Sequence, residues 1–442
     1  MKADHISPST ARFHFEKSAA RAGNENAAQP QDCFTPSGKE EAPAVDARLA
    51  AQLLMQKTRP QPDHMVWEAP LEGGMKYPPA LGPDGTLYTA GGNNRLCAID
   101  SATGKEKWHF DTGEAFESSP LPGSDGSVIF ASKDGHITAL DGKDGARKWE
   151  FRTGSIYEST PVLSADGTLY VKGQNNLFAL DSTTGEKKWE FRKDDVQQLT
   201  EPAVGADGKV YVACERGRVF SLNAASGKKL KTFRKGAENR LFPPVTSPGG
   251  SLYIGGPGTL YSLDRETGKI FWKYTSYSNN PLHPLVGPDG RVIIESLNRI
   301  MGIERYTGRA EAGPKWSFEV GDHNYFSSSF GPGGDIYTAC GNGNIYVLDY
   351  ETGRQKHVLK TGDDNFLTIR PLVAKDGTIF IGTQDKLYAL NPEKKTSAKE
   401  KLEKKVQEQQ NAAGQEEATR IVVDEQKVSI GGISLNIRKE VP

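Results

Sequence analysis

The sequence predicts an all-β fold, an eight-bladed propeller of four-stranded antiparallel blades, and three observations predict it. One phrase recurs, as in "LFALDSTTGEKKWEFR" (177–192) and in "LCAIDSATGKEKWHF" (96–110), "ITALDGKDGARKWEF" (137–151), "VFSLNAASGKKLKTF" (219–233), "LYSLDRETGKIFWKY" (260–274) and "IYVLDYETGRQKHVL" (345–359). A second phrase of the "ADGTLYVKG" kind precedes each, and its marker glycines Gly85, Gly126, Gly167, Gly208, Gly250, Gly290, Gly334 and Gly377 define eight units spaced 40 to 44 residues apart. The last unit, "IRPLVAKDGTIFIGTQDKLYALNPEKK", lacks its W-x-F strand, and "MVWEAPL" (65–71) ahead of the first unit supplies that pattern.

Each unit reads as four short strands. A proline-containing segment such as "ESSPL" or "TEPAV" precedes a D-G turn, then come a T-L-Y-V strand, a Gly/Asn turn, an L-F-A-L strand, a T-G turn and a W-E-F strand. Short strands joined by tight turns form an antiparallel meander. The middle strands, Leu169-Tyr170-Val171 and Leu177-Phe178-Ala179-Leu180, are apolar on both sides of the alternation. Such a sheet must be covered on both faces, which sheets packed around an axis achieve for one another. The N-terminal strand is expected to complete the last blade, hiding two edges that would otherwise pair with other chains.

The phrase A-x-D-x-x-T-G-x-x-x-W, clearest at Ala179, Asp181, Thr184, Gly185 and Trp189, resembles the tryptophan-docking repeat of the pyrroloquinoline-quinone-repeat propeller superfamily. The resemblance covers about residues 65–392. That superfamily includes quinoprotein dehydrogenases and the lipoprotein scaffold of the outer-membrane β-barrel assembly machine, and this chain resembles the scaffold more. Trp67, Trp108, Trp149, Trp189, Trp272 and Trp316 are expected to wedge between blades, each indole N–H reaching backbone of a T-G turn. Lys231 and His357 stand at the equivalent position in blades 4 and 7, whose seams are expected to be looser.

The rest of the chain divides as follows. Residues 1–60 read as a mostly disordered leader with one short helical pattern at 45–57, residues 61–392 as the propeller, 393–419 as a charged helical linker, and 420–442 as a small β-hairpin around Gly431-Gly432. A two-stranded hairpin is marginal alone, so this tail is expected to dock on the propeller or on a protein partner.

Composition limits the function. Lys+Arg 55 against Asp+Glu 56 gives no net field, so neither nucleic acid nor an anionic membrane is expected as partner. No apolar run approaches the roughly 18 residues of a membrane span. The first residues lack an apolar h-region, a departure from the exported scaffold, so a cytoplasmic location is favoured with unconventional export as the alternative. Cys33, Cys97, Cys214 and Cys340 are scattered and fit a reducing compartment.

Little points to a reaction centre. The resemblance implies, for a quinoprotein, a vicinal cysteine disulfide, a carboxylate base and a calcium site, but no two cysteines are adjacent, so no cofactor is expected and quinone with calcium is disfavoured. The histidines show no metal-ligand spacing, and "DGKDG" (141–145) lacks the order of a calcium loop, so no metal and no catalytic residue are assigned. In a propeller the first strand of each blade lines the axis, which nominates Lys76, Glu117, Tyr157, Glu158, Glu201, Arg240, His283, Tyr325 and Arg370 as binding candidates around one channel mouth. Two readings stand side by side: solvated rim residues that satisfy one another, or a site for a polar ligand or a peptide of mixed charge. The functional expectation is a monomeric, non-enzymatic scaffold for an unidentified protein partner; the alternative is a small-molecule sensor or quinoprotein-like enzyme with its site at that mouth.

Overall fold

The structure is a computed structural model that describes residues from 64 onward, apart from 155–159, 174, 193–197, 215–216, 235–240, 277–281, 288, 297, 304–312, 321–325, 362–368, 394–421, 425–426, 431–432 and 437–442. Among the described residues all regular structure is strand, with no helix. The leader, its short helical pattern and the charged linker fall outside the described residues.

Eight four-stranded antiparallel sheets follow one another along the chain. Blades 1 to 7 span 80–111, 121–152, 162–192, 203–234, 245–275, 284–319 and 326–360. Blade 8 takes three strands from 372–390 and its outer strand from Met65–Pro70, which pairs with Lys386–Leu390 in the register Trp67↔Ala389, Glu68↔Tyr388 and Ala69↔Leu387. The N-terminal strand therefore closes the ring as the sequence predicts.

Burial follows the alternation. Second strands such as Thr86–Ala90 and Ser127–Ala131 are buried along their whole length, whereas the outer strand Glu106–Asp111 alternates exposed and half-buried. Among the described residues the apolar core is not one mass but eight clusters, each shared by two neighbouring blades. Ile129, Ala131 and Trp149 of blade 2 pack with Leu169, Val171 and Phe178 of blade 3. At the closure Met65, Ile379 and Leu390 pack with Ala339 and Ile345 of blade 7, and Phe380, Leu387 and Trp67 pack with Leu87 and Ile99 of blade 1. Each fully buried Val, Leu or Ile contributes roughly 1.5–3 kcal/mol, and no blade can collect that energy without its neighbours.

The tryptophans latch these seams. Trp67, Trp108, Trp149, Trp189 and Trp316 donate their indole N–H to the carbonyls of Ser101, Gly142, Ser182, Ala224 and Tyr350, over 2.9, 3.0, 3.0, 2.8 and 3.2 Å. Each acceptor is the first residue of the T-G turn in the next blade. The glycine of that turn is required for the ring to fit: Gly185 has φ +75°, and a Cβ there would lie 2.7 Å from the Trp149 ring.

The two seams without tryptophan are closed by other means. At blade 4, Lys231 donates its ammonium to the Glu266 carbonyl, and Phe233, two residues on, lies against Gly268 where the indole would otherwise sit. At blade 7, His357 is exposed, and His64 Nε2 instead accepts from the backbone N–H of Lys360 at 3.0 Å, beside the closing strand.

The tail departs from the expected hairpin. Three strands are present, Val422–Asp424, Lys427–Ile430 and Ile433–Asn436, with registers Val423↔Val428 and Ile430↔Ile433. The last two strands pair as the alternation on either side of residues 431–432 suggests, those two residues lying outside the described ones; the first strand, "VVD", is too short to show alternation and escapes a periodicity argument.

Candidate functional site

The first strand of each blade is short, two residues in most, and the segment before it carries the axial side chains. Of the candidates, Lys76, Glu117, Glu201, His283 and Arg370 are described; Tyr157, Glu158, Arg240 and Tyr325 lie outside the described residues, so the pairing of Glu117 with Glu158 does too.

Several of these side chains serve the backbone. Lys76 Nζ and Tyr77 Oη donate to the Phe116 carbonyl at 3.3 and 3.1 Å, tying blade 1 to blade 2. Glu117 is buried, and its backbone N–H donates to Ala131 O at 2.9 Å. The hydroxyls of Ser118 and Thr200 accept from the N–H groups of Ala131 and Ala213 at 2.9 and 3.0 Å. These contacts explain why polar residues recur there without invoking a ligand.

Glu201, His283 and Arg370 form a different arrangement. Glu201 Oε1 accepts from the Thr160 N–H at 2.9 Å, across the seam between blades 3 and 4. Desolvation pushes its pKa up, against that hydrogen bond and the positive charges of Lys172 and Arg370. The Phe242 ring stands edge-on to the His283 imidazole, with 4.6 Å between centroids. His283 keeps an exposed edge, yet the surrounding protein and the Arg370 charge hold its pKa below 6.5. Arg370 belongs to blade 8, Glu201 to blade 4 and His283 to blade 6, so one exposed guanidinium acts on groups from opposite sides of the ring.

Two members of this cluster are absent from the sequence-based candidates. Glu295, on the second strand of blade 6, is held above its ordinary pKa by burial; Ser328 hydrogen-bonds its carboxyl, and the Arg370 charge also opposes the rise. Its Oε1 is buried without a hydrogen-bond partner among the described residues. Ser328 in turn shares a 2.8 Å hydrogen bond with Thr338. Lys172, on the second strand of blade 3, is the other. A signal for both was available: the fifth residue after the marker glycine is Ala90, Ala131, Ala213, Gly255, Ala339 or Gly382 in six blades, and Lys172 or Glu295 in two.

Two concavities lie at the opposite ends of the strands, among the turns. A cleft of about 310 Å³ is lined by Asp289, Asp335, Asp349, Tyr350, Glu351 and Lys356. Its acids are consumed by turn geometry: Asp349 accepts from the N–H groups of Glu351 and Thr352, and Lys356 lies 2.6 Å from Asp335. Among the described residues no cluster of His, Cys, Asp and Glu could hold a metal ion. Burial raises the pKa of both Glu201 and Glu295 above the ordinary carboxylate value.

Known proteins can now be set beside this geometry. The crystal structure of BamB from Moraxella catarrhalis superposes with TM-score 0.57 at 16% identity, covering 74% of this chain and 99% of that one. The computationally designed Ika8 protein superposes with TM-score 0.62 at 16% identity, with the same coverages of 74% and 99%. Both likenesses concern the fold. The serine/threonine-protein kinase AfsK of Streptomyces griseus is 28% identical over 139 residues, which are 29% of this chain and 16% of the kinase. The profile of outer membrane protein assembly factor BamB matches residues 57–166, 153–239 and 230–431, which together run through the whole ring, and the chain belongs to that family of propellers.

Proposed function

We propose that the protein is a non-enzymatic scaffold that gathers protein partners on a rigid propeller. The observation that carries this reading is the match to an assembly-factor family over every blade of a closed ring. A ring latched at its seams holds its loops and edges at fixed separations, which is what simultaneous engagement of partners requires. The buried residues Cys97, Cys214 and Cys340 form no disulfide among the described residues, which fits the reducing compartment in which we place the protein. Affinity capture of the intact protein from its native cell, after cross-linking, is expected to return a defined partner in stoichiometric amount. Recovery of the protein alone, in every fraction, contradicts the reading.

The axial cluster favours one second reading, a small polar ligand at the channel mouth. Arg370 is exposed and its charge acts on Glu295 and on His283, beside the buried Glu295 Oε1 that has no hydrogen-bond partner among the described residues, an arrangement that can receive an anionic or hydroxylated molecule. A thermal-shift screen with quinone plus calcium, sugars and short peptides tests it. Stabilisation by one of these that Arg370→Ala or Glu201→Gln abolishes supports the ligand site; stabilisation by the quinone in particular overturns the scaffold.

A further inference from the structure

The outer strand of a blade is its free edge, and in the complete blades 1 to 7 it carries a register shift that leaves one residue bulged before the tryptophan position. That residue is lysine in five blades: Lys107, Lys148, Lys188, Lys315 and Lys356. Four of them reach back to their own blade, Lys107 to Thr86 at 2.7 Å, Lys148 to Asp125 at 2.6 Å, Lys188 to Thr168 at 3.1 Å and Lys356 to Asp335 at 2.6 Å. A charged lysine on an exposed edge also discourages strand addition.

Blades 4 and 5, which are neighbours, break this rule. Their bulged residues are Leu230 and Phe271, and Ile270 precedes the second. These are the large apolar side chains that stand exposed among the described residues, at 45%, 38% and 43%. The loss is compensated locally. In blade 4, Asp207 is held by Lys209 and by Arg265 of the next blade, at 3.2 and 3.4 Å. In blade 5 the turn is Pro248-Gly249-Gly250, with no carboxylate to satisfy. The Lys231 contact with the Glu266 carbonyl and the Phe233 packing on Gly268 bring the Leu230 segment against the turn that leads into Ile270. Around the apolar residues lie Lys228, Lys229, Lys231, Lys269 and Lys273, and neither 228–234 nor 269–275 contains a carboxylate.

We propose that the outer edges of blades 4 and 5 form a docking surface for an extended, acidic and apolar segment of a partner protein, which adds a fifth strand beside Ile270–Thr275. The strand edge offers unpaired backbone groups that such a segment can satisfy, its alternate apolar side chains cover Leu230, Ile270 and Phe271, and its carboxylates meet the lysines. A lipid surface is a poorer match, because hydrocarbon cannot hydrogen-bond the strand edge. The proposal rests on the scaffold reading and gives it an address.

The test uses the full chain and a fluorescent octapeptide of alternating valine and glutamate, with the valine and lysine counterpart as control. Wild type is expected to bind the acidic peptide and to protect the amides of Ile270–Thr275 from hydrogen exchange. The double variant Leu230→Lys, Phe271→Lys restores the residue found at five other bulges and so keeps the fold; it is expected to lose at least tenfold in affinity although it gains positive charge. Absence of peptide binding by wild type, equal binding by the variant, or protection elsewhere overturns the proposal. So do binding to anionic phosphatidylglycerol vesicles without peptide binding, concentration-dependent dimerisation that the variant abolishes, and peptide binding that appears only after removal of 394–442, since these assign the surface to lipid, to a second copy or to the chain's own tail. Stoichiometric partners captured equally by wild type and variant overturn this surface while leaving the scaffold intact. Peptide binding as expected, with no partner captured from the cell, removes the scaffold and leaves the surface standing.

Discussion

At Gly185 two demands meet in one residue, a left-handed backbone at φ +75° and an indole pressed against the missing side chain. Gly126 has the first demand alone, with φ +79° and open space around it. Alanine at Gly126 is therefore expected to cost about 1–2 kcal/mol for the conformation, and alanine at Gly185 measurably more, because the Trp149 ring must also move; paired urea titrations give the difference. Equal costs at the two sites contradict the packing of Trp149 on that turn. The axial carboxylates make a pH prediction. Burial raises the pKa of Glu295 above its ordinary 4.5, so the native chain holds a proton that the unfolded chain has released. Stability then falls as pH rises from 4.5 through the folded-state value, and stays lower above it. Glu295→Gln is expected to flatten this decline, its melting temperature rising relative to wild type with pH. The turn aspartates Asp100, Asp181, Asp264 and Asp349 have the opposite sign, since hydrogen bonds from their turns lower their pKa from 3.8, and their contribution is lost only in stronger acid. The tryptophans were legible in the sequence because each repeats one local task. The convergence of Arg370 on Glu201, His283 and Glu295 was not, because it depends on the width of the closed ring, which no local spacing encodes.

Blades show where the repeat can be rewritten without loss. The sequence suggests a looser seam after blade 4, where Lys231 replaces tryptophan; the structure fills it from the same strand, with Phe233 on Gly268. Phe233 is buried, so Phe233→Ala is expected to cost about 3–5 kcal/mol, while Lys231→Trp is expected to give no stabilisation, since the place for an indole is taken. A stabilising Lys231→Trp contradicts this account of the seam. The substitution was misleading at sequence level because the rescue comes two residues later, on the same face of a strand whose side chains alternate. The tail teaches the complementary lesson: the pairing of Lys427–Ile430 with Ile433–Asn436 was legible from the alternation of apolar residues, whereas the strand Val422–Asp424 adds to the sheet through pairing alone.

The whole molecule turns repetition into a closed object. Eight sheets have eight seams, and each cluster of buried residues belongs to two blades. Six of the seams join parts of the chain that are close in sequence, whereas the two flanking blade 8 depend on a strand more than 300 residues distant from its partners. Closure thus converts a stack with two exposed edges into a rigid platform, and the proposed docking at blades 4 and 5 gains its fixed geometry from it. The sequence revealed this closure through a missing W-x-F strand and a spare one, a global inference that needed only counting. Hydrogen exchange of the backbone amides within Met65–Trp67 and Lys386–Leu390 tests it most directly. The account predicts that both segments are protected to the same degree as the outer pair Asn176–Asp181 and Lys187–Arg192 of blade 3; rapid exchange of the amides within Met65–Trp67, with Lys386–Leu390 behaving as an open edge, contradicts it.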